Sequence, residues 1–198
     1  PDYEQSVEAS VYKMAQADGV TPLSKIYDIL LEKDGQEFLY FPIYNYTDLN
    51  YSAVHEMMTH PQAIMGLSDG GAHVGTVCDA SFPTYLLCHW ARDRKQGPQI
   101  PLARAVQMLT SEIADYVGFT DRGRLEVGKK ANINVIDHKN LRLHAPHMVK
   151  DLPAGGQRLL QEATGYIATV VDGKVVVEHD KLTGLRPGRL VWLGQKAA

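Results

Sequence analysis

The sequence has few cysteines, no large excess of one charge sign and no long hydrophobic run. Its two cysteines, Cys78 and Cys88, are too few for a disulfide scaffold, and we expect reduced thiols, as in a cytoplasmic protein. A net charge of -3 over 198 residues gives no electrostatic reason to expect nucleic acid as a partner. No apolar run reaches the length of a membrane span, so we expect no membrane partner either.

A short apolar segment that ends in an acid is the most informative feature. Ile64 to Leu67 has the length and composition of a buried strand, and Ser68, Asp69 and two glycines follow directly. In α/β proteins, catalytic side chains project from the carboxyl ends of parallel strands, so Asp69 is a candidate catalytic residue. The alternative is a turn aspartate, since Asp-Gly is a common turn pair.

The periodicity of apolar residues divides the chain into two parts. Residues 1–118 predict alternating helices and strands, and the strands at Leu39 to Ile43 and Ile64 to Leu67 are expected to be parallel neighbours. Residues 119–198 predict mainly strands, with a hairpin that turns at Asp172-Gly173. The predicted helices cover residues 6–17, 22–35 and 48–59, followed by segments that begin near Ser81, Pro101 and Thr110.

Four segments resemble the amidohydrolase superfamily. Gly66 to Gly70 resembles its last-strand motif, and Gly128 to Asp137 resembles the strand that re-enters its small β-domain. Asp172 to Val176 resembles the closing hairpin of that domain. Ser81 to Leu86 is similar to a segment of the N-acyl-D-amino-acid deacylases, also called D-aminoacylases, so that the resemblance spans nearly the whole chain.

The resemblance implies an α/β fold and a hydrolytic activity. The implied architecture is the C-terminal portion of a TIM-like metal-dependent hydrolase barrel in residues 1–118, followed by a small β-sandwich-type domain in residues 119–198. In this family the acid that ends the last strand shuttles protons, and that position is Asp69. The implied substrate is a small-molecule amide, an N-acyl-D-amino acid. Beside Asp69, the candidate substrate-binding residues are Ser68, Gly70 and His73. His73 could contact the substrate or orient Asp69, and the alternative is a loop histidine with an ordinary hydrogen bond.

The resemblance also implies zinc or another divalent metal, but the sequence contains no His-x-His motif, which supplies metal ligands in this superfamily. Asp69 would then be a weak or indirect ligand, with the main ligands outside this chain. A full barrel needs about 250 residues. The sequence starts at Pro1 without a methionine, and we expect a C-terminal part that associates with the N-terminal remainder of the barrel or forms a homo-oligomer.

The sequence departs from the deacylase pattern at two places. The loop after Asp69 is not rich in proline and histidine, which leaves the substrate open. Asn132 stands where the family usually has an aspartate, which we interpret as a structural difference. A cyclic amidase of the hydantoinase or dihydroorotase type is therefore an alternative, and a non-catalytic assembly or binding module is another.

Several other polar residues have simpler interpretations. His55 and His60 are five residues apart, so they do not share one face of a helix as the zincin pair does. His144 and His147 are three apart, with no further ligand in view. For Cys78 and Asp79 we expect structural packing, and for Arg186 and Arg189 a solvated tail.

Overall fold

The computed structural model describes residues 1–66, 68, 70–71 and 75–192. Within them, the α-helices lie in the first part of the chain. The α-helices are α1 (Val11–Asp18), α2 (Pro22–Gly35, with non-helical backbone at Glu32 to Asp34), α3 (Ser52–Thr59), α4 (Phe82–Tyr85), α5 (Leu102–Leu109) and α6 (Ser111–Val117). A π-helix (Leu86–Asp93) continues directly from α4, and short 3-10 helices occupy Val7–Ala9, Asp79–Ser81 and Pro153–Gly155.

The strands of the described residues lie in the second part of the chain. They are β1 (Ile133–Ile136), β2 (Arg142–Leu143), β3 (His147–Val149), β4 (Arg158–Leu160), β5 (Ala163–Thr164), β6 (Tyr166–Val171), β7 (Lys174–Glu178) and β8 (Lys181–Leu182). One antiparallel sheet has the order β1-β6-β7-β8, and β2 with β5 and β3 with β4 form two-stranded ribbons. The fold is therefore a mixture of helices and sheet, as expected for an α/β protein.

Local sequence signals account for several boundaries. The Thr21 side chain accepts a hydrogen bond from the backbone of Ser24 and caps α2, which begins at Pro22. Gly19 ends α1 in the left-handed conformation that glycine adopts most easily. The predicted hairpin at Asp172-Gly173 is confirmed, because both residues have positive φ and join β6 to β7.

The two strands predicted in the first part of the chain are absent from the residues that the structure describes. Residues 38–43 and 64–66 have no regular secondary structure, and Leu67 lies outside the described residues. The prediction that Leu39 to Ile43 and Ile64 to Leu67 are parallel strands is therefore wrong for the part that the structure describes. An isolated strand leaves its backbone N–H and C=O groups unpaired, and a strand that lacks hydrogen-bonded neighbours is not stable.

The hydrophobic core joins the helical and the strand-rich parts. Its buried members are Leu86, Leu87, Cys88, Trp90, Ile100, Ala105, Met108 and Leu141. The π-helix supplies four of these residues, and Leu141 reaches them from the chain just before β2. The π-helix has hydrogen bonds from i+5 to i, such as Arg94 N to His89 O at 2.8 Å, and its residues Leu86 to Trp90 are all buried.

Candidate functional site

Of the principal candidate site residues from the sequence, the described residues include Ser68 and Gly70. Asp69 and His73 fall outside them, so the structure does not test their roles as catalytic and substrate-binding residues. Ser68 is half-buried and Gly70 is exposed. A Cβ atom on Gly70 would lie 2.7 Å from the Cβ of Ala80, so the chain just after Asp69 packs against the 3-10 helix at Asp79–Ser81 without room for a side chain.

The side-chain amide of Gln161 connects this 3-10 helix with two segments that are distant in the sequence. The Ser81 hydroxyl donates to Gln161 Oε1 at 2.6 Å, and Gln161 Nε2 donates to the Tyr3 hydroxyl at 2.8 Å. Gln161 Nε2 also donates to the carbonyl oxygen of His144 at 2.8 Å. We call Tyr3, Ser81 and Gln161 the amide network; it holds the N-terminal segment against the surface on which Gly70 rests.

A pair of tyrosine hydroxyls lies beside the amide network. The rings of Tyr3 and Tyr40 are 4.9 Å apart, and the Tyr40 hydroxyl is hydrogen-bonded to the Tyr51 hydroxyl. The Tyr51 ring contacts Tyr46 at 4.9 Å and Trp90 at 5.9 Å between ring centroids. The hydroxyl pair is thus anchored on the core through aromatic packing.

Burial and charge keep these phenols protonated. Burial raises the pKa of Tyr3, Tyr40 and Tyr51 above the ordinary value for tyrosine. The negative charge of Asp79 raises the pKa of Tyr3 and Tyr40 further. All three phenols are therefore neutral near pH 7 and available as hydrogen-bond donors.

A buried ion cluster is hydrogen-bonded to the backbone of Tyr51, one member of this tyrosine pair. Arg94 Nε and NH2 donate to the two carboxylate oxygens of Glu4, each at 2.9 Å, and both side chains are almost fully buried. His89 Nε2 lies 3.0 Å from Glu4 Oε2, and the backbone N–H of Tyr51 donates to Glu4 Oε1 at 2.7 Å. Burial alone would raise the pKa of the Glu4 carboxyl, but these hydrogen bonds outweigh burial, and its pKa lies below the ordinary value.

Aromatic rings enclose the cluster. Tyr85 stacks on His89 with ring centroids 4.7 Å apart, and the Arg94 guanidinium lies 4.7 Å from the centroid of the Trp90 ring. The sequence analysis missed Glu4, His89 and Arg94. Arg94 belongs to a local run of charges that is typical of a solvated face, and Glu4 precedes it by 90 residues.

The remaining candidates have ordinary contacts. His60 Nδ1 accepts a hydrogen bond from the backbone of Gln62, and His144 Nε2 lies 3.0 Å from the Thr164 hydroxyl. His55 is half-buried, and burial lowers its pKa. In the part of the chain that the structure describes, no three His, Cys, Asp or Glu residues are grouped closely enough to hold a metal ion.

No helix of the described residues combines the length and apolar character needed to cross a membrane.

Comparison with known proteins shows to which family the chain is similar. The model of a family described as "Amidohydrolase family" matches residues 17–177. Uncharacterized proteins of Mycobacterium tuberculosis and Mycobacterium bovis are 29% identical over 178 residues, which is 86% of this chain and 28% of each relative.

A third relative has a named activity. A 5'-deoxyadenosine deaminase of Methanobrevibacter smithii is 34% identical over 96 residues, which is 47% of this chain and 21% of that protein. The chain therefore spans about a quarter of the length of the curated relatives that it matches. No solved structure matches it significantly.

Proposed function

Because the chain belongs to the amidohydrolase family, we propose that it is the C-terminal part of a metal-dependent hydrolase that cleaves the amide C–N bond of N-acyl-D-amino acids. The observation that carries the proposal is the family match over residues 17–177, which includes the segment from Gly66 to Gly70. The similarity of Ser81 to Leu86 to the deacylases supports the choice of substrate.

In the proposed reaction, Asp69 is the group that moves the proton. Its carboxylate accepts a proton from the attacking water as the water oxygen bonds to the carbonyl carbon. The protonated Asp69 then donates that proton to the nitrogen as the C–N bond breaks, which releases a carboxylic acid and a free amine. Ser68, Gly70 and His73 flank Asp69 in the sequence and are proposed to bind the substrate.

Members of this family generally use a divalent metal ion, zinc in our proposal. The described residues do not fit such a centre, because a zinc site needs three or four ligands and no group of three potential ligands lies together there. Because the sequence contains no His-x-His motif, our proposal has the main ligands in a part of the barrel outside this chain.

An exposed apolar surface on helix α2 supports the proposal that another part of the protein packs against this chain. Helix α2 contains no buried residue, and Leu23 and Tyr27 on it are 76% and 65% exposed. Exposed apolar surface of this kind marks an interaction site. The proposed neighbour is the remainder of the hydrolase barrel, and a second copy of this chain is the alternative.

A substrate panel tests the proposal. The complete enzyme, which combines these residues with the remainder of the barrel, should release free amine from N-acetyl-D-amino acids faster than from their L-enantiomers. Ammonia release from 5'-deoxyadenosine without amine release would favour a deaminase, as the name of the Methanobrevibacter smithii relative suggests. Hydrolysis of hydantoin or dihydroorotate alone would favour a cyclic amidase, and no turnover of any compound would favour a non-catalytic module.

A further inference from the structure

A cavity of about 950 Å³ lies beside the buried ion cluster. Three parts of the chain form its wall: the N-terminal segment with Asp2, the π-helix and the residues after it with Lys95, and the strand β2 with Arg142. Tyr85 and Leu143 add apolar surface to the same wall. The volume is in the range of small-molecule sites, and the wall suits a ligand that has both charged groups and an apolar part.

The buried carboxylate of Glu4 ties two parts of this wall together. The Asp2 carboxylate accepts a hydrogen bond from the backbone N–H of Glu4 at 2.9 Å, and His89 Nε2 lies 3.0 Å from Glu4 Oε2. Arg94 also donates to Glu4, and Lys95 follows Arg94 directly. The segments that carry Asp2, His89 and Lys95 are therefore held against one another.

The carbonyl oxygen of Leu141 ties the third part of the wall to the π-helix. It accepts hydrogen bonds from Cys88 Sγ at 3.4 Å and from Arg92 Nη2 at 2.9 Å. Cys88 directly precedes His89, and Arg142 directly follows Leu141. The start of β2 therefore lies against the part of the π-helix that carries His89.

The charged groups of the wall differ in whether they already have a counter-charge. Glu4 and Asp93 are each paired with an arginine. Three others form no ion pair within the described residues, namely Asp2, Lys95 and Arg142. One uncompensated carboxylate and two uncompensated cations thus line the same cavity, and a ligand with charges of both signs would complement them.

The ring of His89 adds a hydrogen-bond acceptor to this wall. Arg94 donates to both carboxylate oxygens of Glu4, so that this carboxylate is an acceptor, and we assign the ring proton of His89 to Nε2, which faces it. In the neutral imidazole Nδ1 is then an acceptor. It has no partner in the part of the chain that the structure describes, and solvent reaches it although the side chain is only 10% exposed.

We propose that this cavity binds a free α-amino acid. The carboxylate of the amino acid pairs with Arg142 and Lys95, and its ammonium group donates hydrogen bonds to the Asp2 carboxylate and to His89 Nδ1. A zwitterion compensates charges of both signs, whereas a simple anion leaves Asp2 without a counter-charge and a simple amine leaves the two cations without one. The inference goes beyond the proposed function and does not depend on it.

Calorimetric titration of the complete enzyme with leucine and two truncated analogues tests the choice of ligand. We expect at least one enantiomer of leucine to bind, and 4-methylpentanoate and 3-methylbutylamine to bind at least about tenfold more weakly, because each lacks one charged group. Tighter binding of D-leucine would identify the product of the proposed hydrolysis as the ligand, and tighter binding of L-leucine an amino acid from another source. If leucine does not bind, or if one truncated analogue binds as tightly, the proposal is wrong.

Two charge-removing variants locate the site. Arg142→Gln and Asp2→Asn should each weaken leucine binding by at least about tenfold, and asparagine can still accept the hydrogen bond from the Glu4 backbone. The matched controls are Arg186→Gln and Asp28→Asn, which change exposed residues outside the cavity wall and should stay within about twofold of the wild type. Unchanged leucine binding in Arg142→Gln and Asp2→Asn would overturn the proposal.

Leucinamide separates a direct contact of Arg142 from a structural effect. Leucinamide keeps the ammonium group but has no carboxylate, so Arg142→Gln should not weaken its binding further. An equal loss of affinity for leucine and leucinamide would mean that Arg142 only supports the structure of the cavity, and the proposed carboxylate contact would be wrong. Failure of the enzyme to hydrolyse N-acyl amino acids would overturn the proposed function and would not affect these binding results.

Discussion

The carboxylate of Glu4 and the guanidinium of Arg94 form two hydrogen bonds of 2.9 Å in the interior, 90 residues apart in the sequence. This pairing fixes the first residues of the chain against the end of the π-helix. Each charge is buried, so each depends on the other for compensation.

Removal of one charge should therefore destabilise the chain strongly. We expect Glu4→Gln to lower the free energy of unfolding by about 3–5 kcal/mol, because Arg94 is left buried without a counter-charge. Urea denaturation of the 198-residue chain measures the change. The control is Glu8→Gln, which removes an exposed partner of Lys13 and should leave the midpoint unchanged.

Because Glu4→Gln could prevent folding altogether, Glu4→Leu/Arg94→Met provides a second variant that removes both charges. Apolar residues of similar volume should restore most of the stability, since no unpaired charge remains. An equal loss in Glu4→Gln and in the double variant would show that the hydrogen bonds and the shape of the site matter more than charge compensation.

The stability of the chain should also depend on pH through Glu4. Its pKa is lower in the folded than in the unfolded state, so its contribution is fully present above the unfolded value of 4.5 and is lost as the pH falls through the folded value. We expect the urea midpoint to decrease below about pH 4.5, and to decrease less in Glu4→Leu/Arg94→Met. If the urea midpoints of the wild type and of Glu4→Leu/Arg94→Met decrease equally with falling pH, Glu4 is not the source of this acid sensitivity.

The close packing of Gly70 gives a third prediction. Gly70→Ala should destabilise the chain by about 1–3 kcal/mol, because its Cβ would lie 2.7 Å from that of Ala80. Gly66→Ala is the matched control, since nothing lies within 4 Å of a Cβ at that position. Thermal unfolding of both variants measures the difference, and equal melting temperatures would show that the 3-10 helix shifts to accept the methyl group.

These particular residues show what the sequence could predict. Thr21, Gly19 and Asp172-Gly173 act through local backbone preferences, so the helix cap, the helix end and the hairpin were predictable from a few neighbouring residues. The strands expected at 39–43 and 64–67 depend on neighbouring strands, which the described residues do not provide.

The candidate site likewise has one part that the sequence predicted and another part that it did not. The motif around Asp69 is local and was visible in the sequence, although its geometry lies outside the described residues. The contact of Tyr40 with Tyr51 and the pairing of Glu4 with Arg94 depend on the π-helix and on chain segments that meet only in the fold. Single-residue patterns carry no signal for such long-range contacts.

The most direct test of the account is kcat on an N-acyl-D-amino acid for the complete enzyme and its Asp69→Asn variant, with circular dichroism and metal analysis of both. Asparagine keeps the size of aspartate but cannot accept the proton of the attacking water. We predict a loss of at least about 100- to 10,000-fold with fold and metal content nearly unchanged, and a smaller effect of His73→Ala, mainly on KM. If Asp69→Asn keeps most of its activity, Asp69 is only a turn residue, and its assignment as the proton-transfer group is wrong.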